Sequence, residues 1–390
     1  MREAKAEKGS LLEVAAAFLR LGFTAFGGPA AHMAMMEEEF VRRRAWITHG
    51  EFVDMIGAAA LVPGPNSTEV AIHVGMRRAG VPGMVVAGAC FIVPAALMVS
   101  AIAWAYVRYG ALPSAQAFLY GVKPVVVAVV AQAIWLLVSK VVDAWPKRLA
   151  LLSSIVASAL GLSEVATLLG AGVLLGANAW RKERNLRSAA PVLVLLLCVG
   201  AVAALPLVWE GLRHGPQRPT VDAIFLYFLK LGSVLYGSGY VLLAFLERDI
   251  VKGWGWLPHG QLLDAVAVGQ LTPGPVFTTA TFIGYILAGP WGAVAATVGI
   301  FLPSFLFVAI GGRFLPKLRG SAVSSGFLDG VNAAALGLMA VVLVHLAVDG
   351  VRDFASAAIG VAALTLLLRF KVNSALLIVG GGIVGLAISA

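Results

Sequence analysis

About a dozen apolar stretches, several of them roughly 17–25 residues long, limit what this chain can become, because that length crosses a hydrocarbon core about 30 Å thick. Segments such as 83–107 and 190–207 are apolar on every face. A soluble domain carries roughly 25% charged residues; here only 13% of the 390 residues are charged, and the mean hydropathy is +0.90. The two-residue alternation of a membrane barrel is absent from these Ala-, Leu- and Val-rich runs. The sequence therefore predicts an all-α polytopic membrane protein in the cell inner (plasma) membrane. In a soluble chain, 29 Lys/Arg against 20 Asp/Glu would suggest nucleic acid, but no basic stripe with interleaved aromatics is present. In a membrane protein such an excess marks cytoplasmic loops. Cys90 and Cys198 lie inside apolar segments without metal-ligand spacing, so neither a metal site nor a disulfide framework is indicated, and no cofactor is expected.

The chain is also duplicated. Phe18-Leu-Arg-Leu-Gly22 recurs as Phe228-Leu-Lys-Leu-Gly232, and Glu37, Trp46 and Asp54 recur as Glu247, Trp256 and Asp264. Pro63-Gly64-Pro65 recurs as Pro273-Gly274-Pro275, at the same offset of 210 residues. After one deletion the offset is 209, with Gly80/Gly289, Pro94/Pro303 and Phe118/Phe327. Chance similarity between apolar segments matches Leu and Ala, not Pro-Gly-Pro, Trp and Asp in register. The organisation expected is a cytoplasmic tail at 1–9, a first repeat at 10–189, a linker span at 190–219 and a second repeat at 220–390.

Three motifs of the first repeat, specific in combination, resemble the chromate transporter family over nearly the whole chain. They are Phe18-Leu-Arg-Leu-Gly22 leading to Phe26-Gly27-Gly28-Pro29, the run Glu37–Arg44 before Trp46, and Pro63-Gly64-Pro65 with Asn66-Ser67. The resemblance implies export of chromate driven by the proton gradient, with sulfate as the look-alike substrate. The second half departs from the pattern at Ser238-Gly239 and Val276-Phe277, which makes the two half-sites unequal.

Full spans are expected at 83–107, 114–139, 148–161, 163–180, 190–209, 290–312, 322–348, 354–369 and 373–389. Residues 51–63 and 66–80 are too short to cross and meet at Pro-Gly-Pro, with Arg42–Arg44 at one end and Arg77-Arg78 at the other. That pattern predicts a re-entrant pair, since non-helical backbone at membrane depth survives where protein or a water-filled cavity satisfies it. Residues 11–41 break likewise at Gly27-Gly28-Pro29. With these elements re-entrant, the halves are inverted, and only Arg108, Arg213, Arg218, Arg248, Lys252 and Arg352 fall outside. Parallel halves spread the basic residues almost evenly, so positive-inside counting favours inversion. The broken helices of the two repeats would then meet near the midplane.

A helix amino terminus presents free N–H groups and partial positive charge, so an anion docks there. Pro-Gly-Pro makes such a terminus in each half. The substrate-binding set expected is Arg20, Gly27, Gly28, Gly64, Asn66, Ser67, Thr68, Lys123, Lys230, Gly237, Gly274, Thr278 and Thr279. Arg20 and Lys230 are equivalent cations inside apolar stretches, where a charge is costly, and Lys123 has Asn332 as its counterpart. Structural pairing with Glu13, Asp54 or Asp264 is the competing reading for these cations. The proton-coupling set is Glu69, His73, Asp54 and Asp264: Glu69 and His73 share a helix face, and either could move a proton in exchange for the anion. A local Glu–His bond, or a dipole-stabilising Asp at a helix start, is the plainer alternative.

The run Glu37–Arg44 reads as a self-neutralising interfacial helix, Trp104 and Tyr106 as aromatic-belt residues, and Gly380–Gly382 as a close-packing site. The partners expected are chromate or sulfate, protons and the lipid bilayer, with a homodimer left open. An anion channel is the nearest rival to a secondary transporter. An intramembrane enzyme lacks any GxSxG or HExxH motif or suitably spaced aspartates to support it.

Overall fold

The computed structural model describes residues 9–26, 28–160, 162–183, 219–236, 241–311 and 322–389. Residues 1–8 of the tail, 190–218 of the linker span, Gly27 and Gly237 lie outside the described residues. Everything described is helix or connection, with no strand among the described residues.

The first repeat contains α1 (Leu11–Thr24), α2 (Gly28–Met36) running into a π-helical turn (Glu37–Arg43), α3 (His49–Ala60), α4 (Asn66–Tyr109), α5 (Pro113–Val141), α6 (Trp145–Ala159) and α7 (Glu164–Glu183). The second contains α8 (Val221–Val234), α9 (Val241–Phe245) with its π-helical turn (Leu246–Gly253), α10 (His259–Leu271), a 3₁₀ turn (Val276–Thr278) leading into α11 (Thr279–Gly311), α12 (Ala322–Gly350), α13 (Phe354–Phe370) and α14 (Ser374–Ser389). Local sequence explains the starts. The Ser10 hydroxyl caps α1 by accepting from the Leu12 amide, Thr48 and Glu51 form a capping box at α3, and Asp353 with Ser356 does so at α13. Pro113 opens α5 in its first turn, where a missing N–H costs nothing.

The expected broken elements are present in both halves. Inside α4 the chain leaves helical geometry at Ala79 (φ −138°, ψ 22°) and Gly80 (φ 66°, ψ −155°). In α11 it does so at Ala288 (φ −145°, ψ 29°) and Gly289 (φ 62°, ψ −153°). A positive φ favours glycine at the second position of each break. Beyond it the chain reverses, so closely that a Cβ on Gly75 would strike the Gly83 carbonyl and one on Gly284 that of Gly292. The 12 residues of α3 extend about 18 Å, well short of a hydrocarbon core.

Among the described residues four helices are long and apolar enough to span a membrane: α4, α5, α11 together with its 3₁₀ turn, and α12. Helices stand where 148–161, 354–369 and 373–389 were expected to cross. At 15, 17 and 16 residues, α6, α13 and α14 reach only about 23–26 Å.

Packing is exchanged between the repeats. Helices α6 and α7 pack on α12 of the other half, and α13 and α14 pack on α5. Glycines make both crossings: Gly121 lies against the backbone of Gly381 and Gly385, and its equivalent Gly330 against Ala171 and Gly172. The expected role of the 380–382 glycines in close packing is met by Gly381, and by Gly382 against the Phe118 ring. Equivalent helices α5 and α12 run antiparallel. The Tyr120 hydroxyl near the start of α5 donates to Asp353 beyond the end of α12 at 2.6 Å, and Lys147 beyond the end of α5 meets Asp329 near the start of α12 at 3.0 Å. The two contacts lie at opposite ends of the helix pair.

Candidate functional site

The two Pro-Gly-Pro turns cross. The Gly64 amide (φ 139°) donates to the Leu235 carbonyl at 2.7 Å, and the Gly274 amide (φ 89°) donates to the Ala25 carbonyl at 2.8 Å. Ala25 and Leu235 are the equivalent C-caps of α1 and α8, so each turn docks on the helix end of the other repeat. Several polar atoms at or beside this crossing are buried. Glu69 is 0% exposed, and its Oε1 accepts from the Ser304 hydroxyl at 3.1 Å. Glu69 Oε2, Asn66 Oδ1, Thr68 Oγ1 and the Tyr236 hydroxyl are buried without a hydrogen-bond partner. Each such atom costs about 1–3 kcal/mol unless water or a ligand satisfies it. Ser67 is paired with His32 at 3.2 Å, and the other His32 nitrogen lies 3.0 Å from the Ala25 carbonyl. Thr278 and Thr279 donate to the Pro275 and Val276 carbonyls, which leaves their lone pairs and not their hydrogens for a ligand.

A second concentration of polar groups lines a cavity of about 400 Å³ bounded by α4, α5, α10 and α12. Lys123, Asp264, Tyr106, Tyr120, Asp349 and Arg352 face it. Lys123 Nζ lies 3.7 Å from Asp264 Oδ1, and the Tyr106 hydroxyl donates to Asp264 Oδ2 at 2.8 Å. Gly260 at the start of α10 leaves room for the ammonium, since a Cβ there would sit 3.2 Å from Nζ. The structure thus brings together Lys123 and Asp264, which were expected separately as a substrate residue and a proton carrier. Tyr106, Arg352 and Asp349 were not expected at a site. Tyr106 was read as part of the aromatic belt. Arg352 has Asp143 as its counterpart, so the repeat gave no signal for it.

The remaining expected residues stand apart. Arg20 is on the exposed face of α1, close enough to Glu39 for its charge to act on that carboxylate. Lys230 is half-buried, 3.7 Å from Asp249. Asp54 is exposed and His73 half-buried. Gly28 opens α2 with φ 76° and open space around it. The run Glu37–Arg44 is self-neutralising as expected, with Glu38–Arg42 at 3.4 Å and Glu39–Arg43 at 3.3 Å. Arg78 donates to Glu13 at 3.0 Å, and its guanidinium holds that carboxyl below the usual carboxylate range. Among the described residues no cluster of His, Cys, Asp and Glu could hold a metal ion.

These features define a duplicated, all-helical membrane protein whose two halves cross through interrupted helices. The sequence model of the family described as "Chromate transporter" matches residues 12–177 and 223–386, and the chain belongs to that family. It is 35% identical over 376 residues to a chromate transport protein of Cupriavidus metallidurans, covering 95% of this chain and 91% of the relative. It is 33% identical over 362 residues to a probable chromate transport protein of Synechococcus elongatus, with 91% and 89% covered. A chromate transport protein of Pseudomonas aeruginosa is 32% identical over 387 residues, with 95% and 90% covered. No solved structure matches the chain.

Proposed function

We propose that this chain is a secondary transporter that exports chromate across the plasma membrane, coupled to protons, by alternating access between two inverted repeats. The observation that carries the reading is the reciprocal crossing of the Pro-Gly-Pro turns, in a chain whose relatives are named for chromate transport. Two short helices that end inside the protein present backbone and hydroxyl groups to a ligand from both halves, as interrupted helices do in transporters. The antiparallel pairing of α5 with α12 supports inversion, because helices that are equivalent by duplication point in opposite directions.

On this reading a tetrahedral dianion is drawn in by Lys123 and Arg352 and reaches the donors of the crossing: the first-turn amides that follow Pro65 and Pro275, and the side chains of Asn66, Ser67 and Thr68. Glu69 and Asp264 are the two deeply buried carboxyls on this route, at 0% and 2% exposure. Arg20 and Lys230 stand off the route and add only positive charge that raises the local concentration of anion.

Proteoliposome flux tests the reading. Labelled chromate should enter saturably and faster under an imposed pH gradient, and sulfate should compete. Anion currents far above carrier turnover would replace the carrier with a channel, and sulfate flux exceeding that of chromate would replace the substrate. Cysteines introduced at Arg43 and at Lys252 should label from opposite sides of the membrane; labelling from one side removes inversion.

A further inference from the structure

The cavity beside α10 holds two basic side chains, Lys123 and Arg352, and two acidic ones, Asp264 and Asp349. Empty, its charges balance. A dianion adds two negative charges, and it binds well only if one acid withdraws. Asp349 is engaged elsewhere: His259 lies 3.2 Å from it and 3.1 Å from Glu247. Asp264 is the acid in the way. Its Oδ1 is buried without a hydrogen bond, with Lys123 at 3.7 Å, a distance at which charge attraction acts without a formed hydrogen bond.

We propose that Asp264 and a bound tetrahedral dianion compete for Lys123, so that anion binding draws a proton onto Asp264 and anion and proton move in the same direction. The proposal rests on the transport reading above and adds to it the identity of the acid and the sense of the coupling. As a carboxylate, Asp264 neutralises Lys123 and repels the anion; protonated, it offers a hydroxyl donor and leaves the ammonium free. Because linkage is reciprocal, whatever proton binding does for the anion, the anion does for the proton. A dianion leaving with one proton carries one net negative charge outward, a step that an inside-negative potential drives.

The groups that bear on Asp264 come from several elements. They are Tyr106 on α4, Tyr120 and Lys123 on α5, Asp349 on α12, Arg352 beyond it, and His259 on its own helix. The π-helical turn packed on α10 adds Glu247, Arg248, Asp249 and Lys252, while α11 and α14 bring no acidic or basic side chain. In the second repeat the position equivalent to Lys123 is taken by Asn332, so the device is built on one side only.

Chromate affinity of the purified full chain, measured from pH 6 to pH 9 for the wild type and for Asp264→Asn, provides the test. The ratio of the two Kd values cancels the protonation of chromate itself. That ratio should climb toward tenfold per pH unit over part of the range, with Asp264→Asn the tighter binder at pH 9. A flat ratio overturns the proposal. Tyr106→Phe gives a second reading should Asp264→Asn fold poorly. It removes a donor to the carboxylate, so it should bind chromate several-fold more tightly than wild type at pH 8 and equally at pH 6; unchanged affinity at both overturns the competition. Lys123→Ala should lose at least tenfold in affinity, and full binding without Lys123 overturns it as well. A wild type that binds no oxyanion at all, by contrast, removes the transport reading itself.

Discussion

Asp54 and Asp264 occupy equivalent positions, each on the short helix leading into a Pro-Gly-Pro turn, and the two could hardly be housed more differently. Asp54 is exposed, whereas Asp264 is 2% exposed between a tyrosine hydroxyl and a lysine. The Glu–His pairs diverge in the same sense. Glu37 and His49, 3.2 Å apart, are accessible in the first repeat, while Glu247 in the second is buried against His259 and Lys252. The breaks at Gly80 and Gly289, by contrast, agree within a few degrees. Backbone has been kept in duplicate and side-chain surroundings have diverged, so the scaffold carries the symmetry and the site carries the asymmetry.

The largest test of the shared scaffold is Gly64→Ala against Gly274→Ala. Both glycines have positive φ; a Cβ at Gly64 would strike the Glu69 carboxyl and the Ser304 hydroxyl, and one at Gly274 would lie 2.8 Å from the Ala95 Cβ. Each variant should lose more than about tenfold in chromate flux per folded molecule, given about 1–3 kcal/mol of overpacking. If only one of the two collapses, the crossing is not a joint structure. Next in size is Lys123→Ala against Asn332→Ala. The first should raise KM about tenfold and the second about twofold or less, since breaking a buried pair strands Asp264; equal effects would restore symmetry to the site.

Gly121→Ala and Gly330→Ala should each cost about 1–3 kcal/mol in detergent unfolding, by similar amounts, because each puts a methyl group into a helix crossing. The smallest effect concerns Glu51, whose equivalent is Gln261. The Thr48 backbone amide and then Arg77 hold the Glu51 carboxyl below the usual carboxylate range. A depressed native value adds stability above the unfolded value, about pH 4.3, and that stability is lost as pH falls through the native one. Glu51→Gln keeps an acceptor for the Thr48 amide but loses the charge that pairs with Arg77, so it should cost about 0.5 kcal/mol at pH 7, and the two melting curves should converge in acid. Gln261→Ala in the second repeat should show no such convergence.

Much of the fold was legible because proline and glycine punctuate strongly. Pro63-Gly64-Pro65 and Gly80 mark ends that apolar content alone would run through, and their repetition separates design from chance. The cavity was harder to read. Lys123 and Asp264 each stood out as a charge in an apolar setting, but their meeting requires an antiparallel contact between non-equivalent parts of the two repeats, which a constant offset does not encode. Arg20 and Lys230 are equivalent in sequence, yet depth along a helix does not fix the face a side chain takes. Arg20 stands on an exposed face and Lys230 beside Asp249. Tyr106 and Arg352 carry no mark in the sequence, since a tyrosine at a span end is most simply a belt residue.

The exchange of α6 and α7 onto α12, and of α13 and α14 onto α5, also bears on how the protein is made. The partner surface for α6 and α7 lies more than 130 residues downstream, so the first half emerges from the ribosome with those helices waiting for a seam not yet synthesised. Biogenesis must hold this half-built intermediate in the bilayer with glycine-lined faces uncovered. On the inverted reading proposed above, two half-length chains would assemble the same body by meeting in opposite orientations, each closing the groove that the other leaves open.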